Sequence, residues 1–220
     1  MHALGCDLDG TLLNTLADIG SACNAVLGRH GYPQHPLAAY ATMVGNGFET
    51  LVRRALPQDR VPDACAMASL VNEARERYAA HMMEQTAPYP GIAASLRELS
   101  ARGIALFVLS NKPAALTEAL VAHYFVGIPF AQVIGAGDGI ALKPDPAAIL
   151  NILSSLGVVA QASAYLGDSD VDMRTALAAG AAAVGAAWGF RGQAELMASG
   201  CQICLQKGAE LADLPAMLDW

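Results

Sequence analysis

The sequence predicts an α/β fold: a parallel sheet with helices on its faces, carrying one inserted block of helices. Three observations predict it. Short apolar runs alternate with helical patterns through the C-terminal two thirds of the chain. A stretch from residue 14 to residue 86 is helical in pattern and offers no strand. Polar clusters close the apolar runs. Strand and helix in turn build a parallel sheet covered on its faces.

Each element has its own signal. Residues 3–8 form a short apolar strand that stands alone at the N-terminus. Further apolar runs at 104–109, 132–136, 163–166, 182–187 and 201–205 read as buried strands. Helical patterns lie between them at 113–124, 146–156, 172–179 and 193–198. Asp145 ahead of Pro146 is a helix start, an N-cap side chain followed by proline at the first helical position. In the inserted block, Leu16, Ile19, Cys23 and Val26 fall on one helix face. Phe48, Leu51, Val52, Ala55 and Leu56 keep the same period, and residues 63–84 read as one long helix. Tyr89-Pro90-Gly91 marks the return to the sheet. The expected division is residues 1–13 and 87–220 for the α/β core, and 14–86 for the helical insert.

Composition bounds the function. The chain has 220 residues, 54% hydrophobic and 15% charged, which excludes a disordered chain and a coiled coil. A formal net charge of -7 and a pI near 5.1 repel phosphate backbones, so no nucleic-acid partner is expected. Mean hydropathy is +0.36, yet the apolar runs fall short of the roughly 18 residues a spanning helix needs. The N-terminus shows no basic region leading an apolar stretch to a cleavage site, and a cytoplasmic protein without membrane partners is expected. Five cysteines at irregular spacing suggest no disulfide framework. Cys201 and Cys204 form a lone C-x-x-C and read as buried residues of an apolar strand. The apolar content leaves monomer and homodimer both open.

Four clusters carry chemistry: Asp7-Leu8-Asp9-Gly10-Thr11-Leu12, Ser110-Asn111-Lys112, Lys143-Pro144, and Gly167-Asp168-Ser169-Asp170-Val171-Asp172. Three of them close a strand, and the Lys143 segment leads into a helix. In open α/β sheets ligands bind beyond the carboxyl ends of the strands, so the clusters are expected to converge on one cleft. Asp7 and Asp9, two apart, point the same way. Together with Asp168 and Asp172 they would repel one another strongly, and a hard divalent cation, Mg2+, is the natural remedy for all-oxygen ligation. The chain holds only three lysines, Lys112, Lys143 and Lys207. Two fall in the expected cleft, where a compact ammonium suits a phosphate oxygen. Lys112 is equally readable as a solvated residue at a helix start. Gly45-Asn46-Gly47, ahead of an amphipathic helix, places backbone amides and a polar side chain where an anionic or hydroxylated group could sit.

These segments, in this order and spacing, resemble the four motifs of the haloacid dehalogenase superfamily. D-x-D-G-T-L after an N-terminal strand is the most specific of them, and the match covers essentially the whole chain. Ser-Asn-Lys-Pro at 110–113, Lys143-Pro144-Asp145-Pro146 and Trp188-Gly189-Phe190 resemble the phosphoglycolate phosphatase-like branch. Asn14-Thr15 departs from the Asp-Ser of many members. The resemblance implies a Rossmann-like parallel sheet core with an inserted helical cap domain. It implies a Mg2+-dependent phosphatase for a small phosphorylated metabolite, acting through an aspartyl phosphate. Asp7 would be the nucleophile and Asp9 the acid/base. Asp7, Asp9 (through its carbonyl) and Asp168 would hold the metal, with Asp172 a ligand or an orienting neighbour. Thr11, Ser110, the Asn111 amide and Lys143 would serve the phosphoryl group, and the Gly45, Asn46 and Gly47 loop would read the substrate.

Relatives within the superfamily part on single residues. Haloalkanoic acid dehalogenases lack the acid/base, so Asp9 argues for phosphate. Phosphonoacetaldehyde hydrolases need a cap lysine, and residues 14–86 contain none. A β-phosphoglucomutase-like sugar phosphomutase would share every core residue. A non-catalytic phosphoaccepting switch of the receiver type is disfavoured by Asp7 so near the terminus and by the helical insert.

Overall fold

The computed structural model describes residues 1–137 and 139–220. In chain order its strands are β1 (Ala3–Cys6), β2 (Leu13–Asn14), β3 (Ala87–Pro88), β4 (Ala105–Pro113), β5 (Phe130–Ala136), β6 (Ser163–Gly167), β7 (Ala182–Ala186) and β8 (Ile203–Leu205). The helices are α1 (Leu16–Arg29), α2 (Phe48–Ala55), α3 (Ala64–His81), α4 (Ile92–Ala101), α5 (Ala114–Tyr124), α6 (Ala147–Leu156), α7 (Asp170–Ala179), α8 (Gly192–Ala198) and the short α9 (Leu214–Met217). Two compact units divide the chain: residues 1–13 with 88–220, and residues 14–87. No helix among the described residues is long and apolar enough to cross a membrane.

The first unit is a six-stranded sheet in the order β5-β4-β1-β6-β7-β8, and each neighbouring pair is parallel. The chain starts in the middle, at β1, and builds outward to either side. β1 is therefore the switch point, flanked in register by β4 (Cys6 beside Val108) and β6 (Cys6 beside Leu166). The Asp7 amide extends this pairing by donating to Leu166 O at 2.9 Å. The carboxyl ends of β1, β4 and β6 thus open on one crevice.

Packing under the crevice turns on a glycine. Gly5 pairs with Phe107 on one side and Tyr165 on the other. A Cβ at Gly5 would stand 2.3 Å from Phe107 Cζ and 2.7 Å from Tyr165 Cδ2. The two rings fill the space a side chain would take. They join Ile149, Ile152, Leu153 and Met173 from α6 and α7 in one buried cluster.

Several boundaries differ from the sequence expectation for local reasons. Helix α4 was not expected. It follows Gly91, whose φ is +87°, and buries Ile92, Leu96 and Leu99 on one stripe. Helix α7 starts at Asp170 rather than 172, because Ser169 caps it and Asp172 reaches back to the Ser169 amide and hydroxyl. Helix α6 starts at Ala147, one residue after Pro146, and Asp145 Oδ1 accepts from the Ala147 amide at 2.8 Å. Strand β8 is shorter than residues 201–205, because the Cys201 amide turns back to Leu196 O to close α8.

The second unit is helical apart from the residues of β2 and β3 at its ends. Ile19, Cys23 and Val26 of α1 are buried, as are Leu51, Val52 and Ala55 of α2 and Leu70, Ala74 and Tyr78 of α3. Asp18 is buried and accepts bonds from the Gln85 and Thr86 amides and the Thr86 hydroxyl, tying the start of α1 to the end of the unit.

Gly5→Ala is expected to lower stability by about 1–3 kcal/mol through overpacking against two buried rings. Thermal unfolding checks this, and an unchanged midpoint would contradict the packing described.

Candidate active site

The crevice collects the polar clusters of the first unit. β1 ends at Cys6, and Asp7 follows on the same pairing line. The chain then turns sharply: Leu8 O accepts from the amides of Leu12 and Leu13 at 3.0 Å each, and the Gly10 amide donates to Leu13 O at 2.8 Å. Gly10 has φ +84°, and a Cβ there would lie 2.3 Å from Asp168 Oδ2. Only glycine suits both the turn and the close approach.

Lys143 stands at the centre. Its Nζ is 2.7 Å from Asp7 Oδ1 and 2.7 Å from Asp172 Oδ1. It also donates to the Tyr165 hydroxyl at 3.2 Å, which donates in turn to Leu109 O at 2.6 Å. The ring that Gly5 admits therefore props the ammonium. The contact with Asp7 is a buried ion pair. Asn111 secures the Lys143 backbone from both sides: its Oδ1 accepts from Lys143 N at 2.9 Å and its Nδ2 donates to Lys143 O at 3.1 Å. The Asn111 side chain thus serves the loop.

Asp168 is held by neutral donors. The Thr11 hydroxyl donates to Oδ1 at 3.3 Å and the Phe190 amide to Oδ2 at 2.7 Å. Gly189 lies against it, since a Cβ there would meet Asp168 Cβ at 2.2 Å. Trp188 Nε1 donates to Thr11 O at 3.0 Å and steadies the same turn. Asp172 Oδ2 is taken by the Ser169 amide and hydroxyl, and its Oδ1 by Lys143. Asp9 faces a second lysine, with Lys112 Nζ at 2.7 and 2.8 Å from its two oxygens. Ser110 is buried one residue beyond Leu109, and its Oγ accepts from the Lys112 amide at 3.4 Å.

Seven residues singled out from the sequence therefore meet here with Lys143: Asp7, Asp9, Thr11, Ser110, Asn111, Asp168 and Asp172. Gly45, Asn46 and Gly47 belong to the second unit, where they form the turn into α2 with φ +117° at Gly45 and +84° at Gly47. Sequence reasoning gave no place to Tyr165 or to the Phe190 amide, and it left Lys112 undecided. Tyr165 carried a signal, as the one aromatic residue of a strand ending in Gly-Asp. The Phe190 amide lies in the Trp188-Gly189-Phe190 segment that carries the resemblance, but its bond to Asp168 could not be read there, because any residue supplies an amide.

Electrostatics say what the arrangement can hold. Carboxylate oxygens of Asp7, Asp168 and Asp172 lie within 4.8 Å of one another, all buried. Among the described residues of the site, four carboxylates face two ammonium groups, Lys112 and Lys143, which leaves two negative charges unbalanced. Burial, followed by the pull of Lys143 in the other direction, leaves the Asp7 carboxyl pushed up to about 6. Burial, Asp172 and Asp7 hold the Asp168 carboxyl well above the usual carboxylate range. Burial pulls the Lys143 ammonium down, but Asp172 and Asp7 outweigh it and the ammonium stays firmly charged. A hard divalent cation fits this donor set: all oxygen, buried, and short of two positive charges.

The haloacid dehalogenase-like hydrolase family matches residues 6–186. A phosphoglycolate phosphatase of Pseudomonas putida is 36% identical over 188 residues, spanning 84% of this chain and 68% of that protein. A phosphoglycolate phosphatase of Pectobacterium atrosepticum is 30% identical over 218 residues, spanning 97% and 92%. The crystal structure of CbbY from Rhodobacter sphaeroides in complex with phosphate superposes with a TM-score of 0.80 at 29% identity, covering 100% of both chains. The chain belongs to the haloacid dehalogenase-like hydrolases, within the phosphoglycolate phosphatase-like branch, and is a phosphatase.

Proposed function

We propose that this phosphatase depends on Mg2+ and hydrolyses a small phosphomonoester through an aspartyl phosphate on Asp7. One observation carries the reading: the Asp7, Asp168 and Asp172 carboxylates grouped within 4.8 Å, with Lys143 between Asp7 and Asp172. Asp7 and Asp168 would hold the ion, with the Asp9 main-chain carbonyl beside them. Asp172, already committed to Lys143 and Ser169, would orient from behind. Bound there, Mg2+ supplies the positive charge that the two lysines leave missing.

The chain's own groups account for the rest. An Asp7 oxygen attacks phosphorus as the ester P–O bond breaks, and Asp9 gives a proton to the departing alkoxide. Asp9 then takes a proton from the water that attacks the acyl phosphate, which frees Asp7. Lys143 neutralises phosphoryl charge and fixes the Asp7 carboxylate. The Ser110 hydroxyl and the Asn111 main-chain amide hold phosphoryl oxygens, with Thr11 close by through Asp168. Positioning and charge account for most of the acceleration in such transfers. The second unit acts as the substrate-reading cap, with Gly45, Asn46 and Gly47 its candidate contacts. Phosphoglycolate is the first substrate to try, given the relatives that carry that name. A sugar bisphosphate comes next, since a CbbY structure holds xylulose-1,5-bisphosphate. The expected setting is the cytoplasm, as monomer or homodimer.

A phosphate-release screen over these compounds, with and without Mg2+, tests the reading. Isomerised glucose 1-phosphate without free phosphate would replace it by a mutase. Asp7→Asn is expected to lower kcat at least ~1000-fold while the melting curve shows a folded protein. Near-normal kcat in that variant would overturn the covalent route.

Metal and pH are linked through the same carboxylates. Because Asp7 is pushed up to about 6, the folded chain without metal binds this proton more tightly than the unfolded chain. The stabilisation is complete below the ordinary carboxylate range of about 4 and is lost as pH rises through about 6. In EDTA the melting temperature is therefore expected to fall across that window, and Mg2+ is expected to restore it at neutral pH. The Kd for Mg2+ should rise at least about tenfold per pH unit below about 6, as protons on Asp7 and Asp168 compete for the ligands. A Kd indifferent to pH would contradict this account.

A further inference from the structure

Lys112 follows Asn111 on β4, and its ammonium grips both oxygens of Asp9 at 2.7 and 2.8 Å. The lysine side chain is 2% exposed and that of Asp9 13%. Taking such a pair out of water is costly unless the geometry is good. The geometry is held from both ends. On the lysine side, the Lys112 amide donates to Ser110 Oγ at 3.4 Å and the Thr117 hydroxyl donates to Lys112 O at 3.2 Å. Gly135 of β5 permits this strand end, because a Cβ there would lie 2.7 Å from Lys112 O. On the aspartate side, the main chain is fixed by the turn on Leu8 O and by the bond from the Gly10 amide to Leu13 O. With both backbones held, the remaining freedom of the Asp9 carboxylate is its side-chain rotation, and Lys112 limits that. Asp7, two residues earlier, is gripped by a different lysine, Lys143. The two neighbouring carboxylates are thus oriented independently.

We propose that Lys112 is a positioning residue for the reaction: it holds the Asp9 carboxylate where it can serve first the leaving oxygen and then the attacking water. This inference rests on the reading of Asp9 as the proton-exchanging group. Lys112 acts through Asp9, without touching the reacting atoms. An approach error of about 1 Å at such a group costs on the order of 100-fold in rate.

The test is a cycle of Lys112→Met, Asp9→Asn and the double variant, assayed with phosphoglycolate and with glycerol phosphate, which has no carboxylate. Lys112→Met is expected to lower kcat about 10- to 100-fold with KM within about threefold, alike for both substrates. The double variant is expected to match Asp9→Asn, because the proton exchange that the lysine would serve is already lost. A raised KM with kcat intact, or a loss with phosphoglycolate alone, would make Lys112 a substrate contact and overturn the proposal. So would losses that multiply in the double variant. Should Lys112→Met fail to fold, Lys112→Gln, which keeps polarity and most of the volume, takes its place in the cycle, with the same loss of kcat at unchanged KM expected and a normal kcat overturning the proposal. Near-normal kcat in Asp9→Asn would sink the reading of Asp9 itself. An inactive Asp9→Asn beside a normal Lys112→Met would sink the role of Lys112 alone.

Discussion

Three buried carboxylates within 4.8 Å of one another are an electrostatic load that the rest of the site must answer. Lys143 answers part of it, bridging Asp7 and Asp172. Its ammonium can stand there because Tyr165 supports it from β6, and Tyr165 fits because Gly5 of β1 has no side chain. Asn111 of β4 clamps the Lys143 backbone. A residue in the middle of the sheet thus governs the position of a charge at its rim, through one ring and one hydroxyl. The charges left over are a standing demand for a divalent cation, and the raised carboxyls of Asp7 and Asp168 express the same demand in protons.

The sheet topology makes this crowding possible. Starting at β1 and building to both sides puts Asp7 between the ends of β4 and β6. Ser110, Asn111 and Lys112 then arrive from one neighbour, and Asp168 with Asp172 from the other. Chain segments more than a hundred residues apart meet because their strands are adjacent in the sheet. The loops need only short reaches, and glycines stand where the approach is tightest, at Gly10 and Gly189 beside Asp168.

What could be read in advance follows from this. Strand-closing clusters announce themselves, because an apolar run that ends in Asp, Ser-Asn or Gly-Asp marks a strand end facing a crevice. The core alternation was legible for the same reason. Lys112 was not: a lysine beside a helix start reads the same whether it meets water or a carboxylate 103 residues away. Helix α4 was overlooked because it begins directly after the Pro90-Gly91 return, where the turn residues mask a short stripe of Ile92, Leu96 and Leu99. The two-residue earlier start of α7 depends on Asp172 bending back to Ser169, a local contact that favours the orienting alternative over direct ligation for that carboxylate.

The partners of the four carboxylates also separate their duties. An ammonium cancels the charge of the group it holds, whereas a hydroxyl or amide orients a carboxylate and leaves most of its charge in place. Asp9 has Lys112, Asp172 has Lys143, and Asp7 shares Lys143 with Asp172. Asp168 is oriented by Thr11 and Phe190, both neutral. Its carboxyl is accordingly held well above the usual range by burial and by its acidic neighbours. Of the four, Asp168 therefore has the least of its charge answered by the protein, and a cation entering the crevice gains most by sitting against it and Asp7. Asp172, neutralised and fixed from behind, keeps Lys143 in place for both.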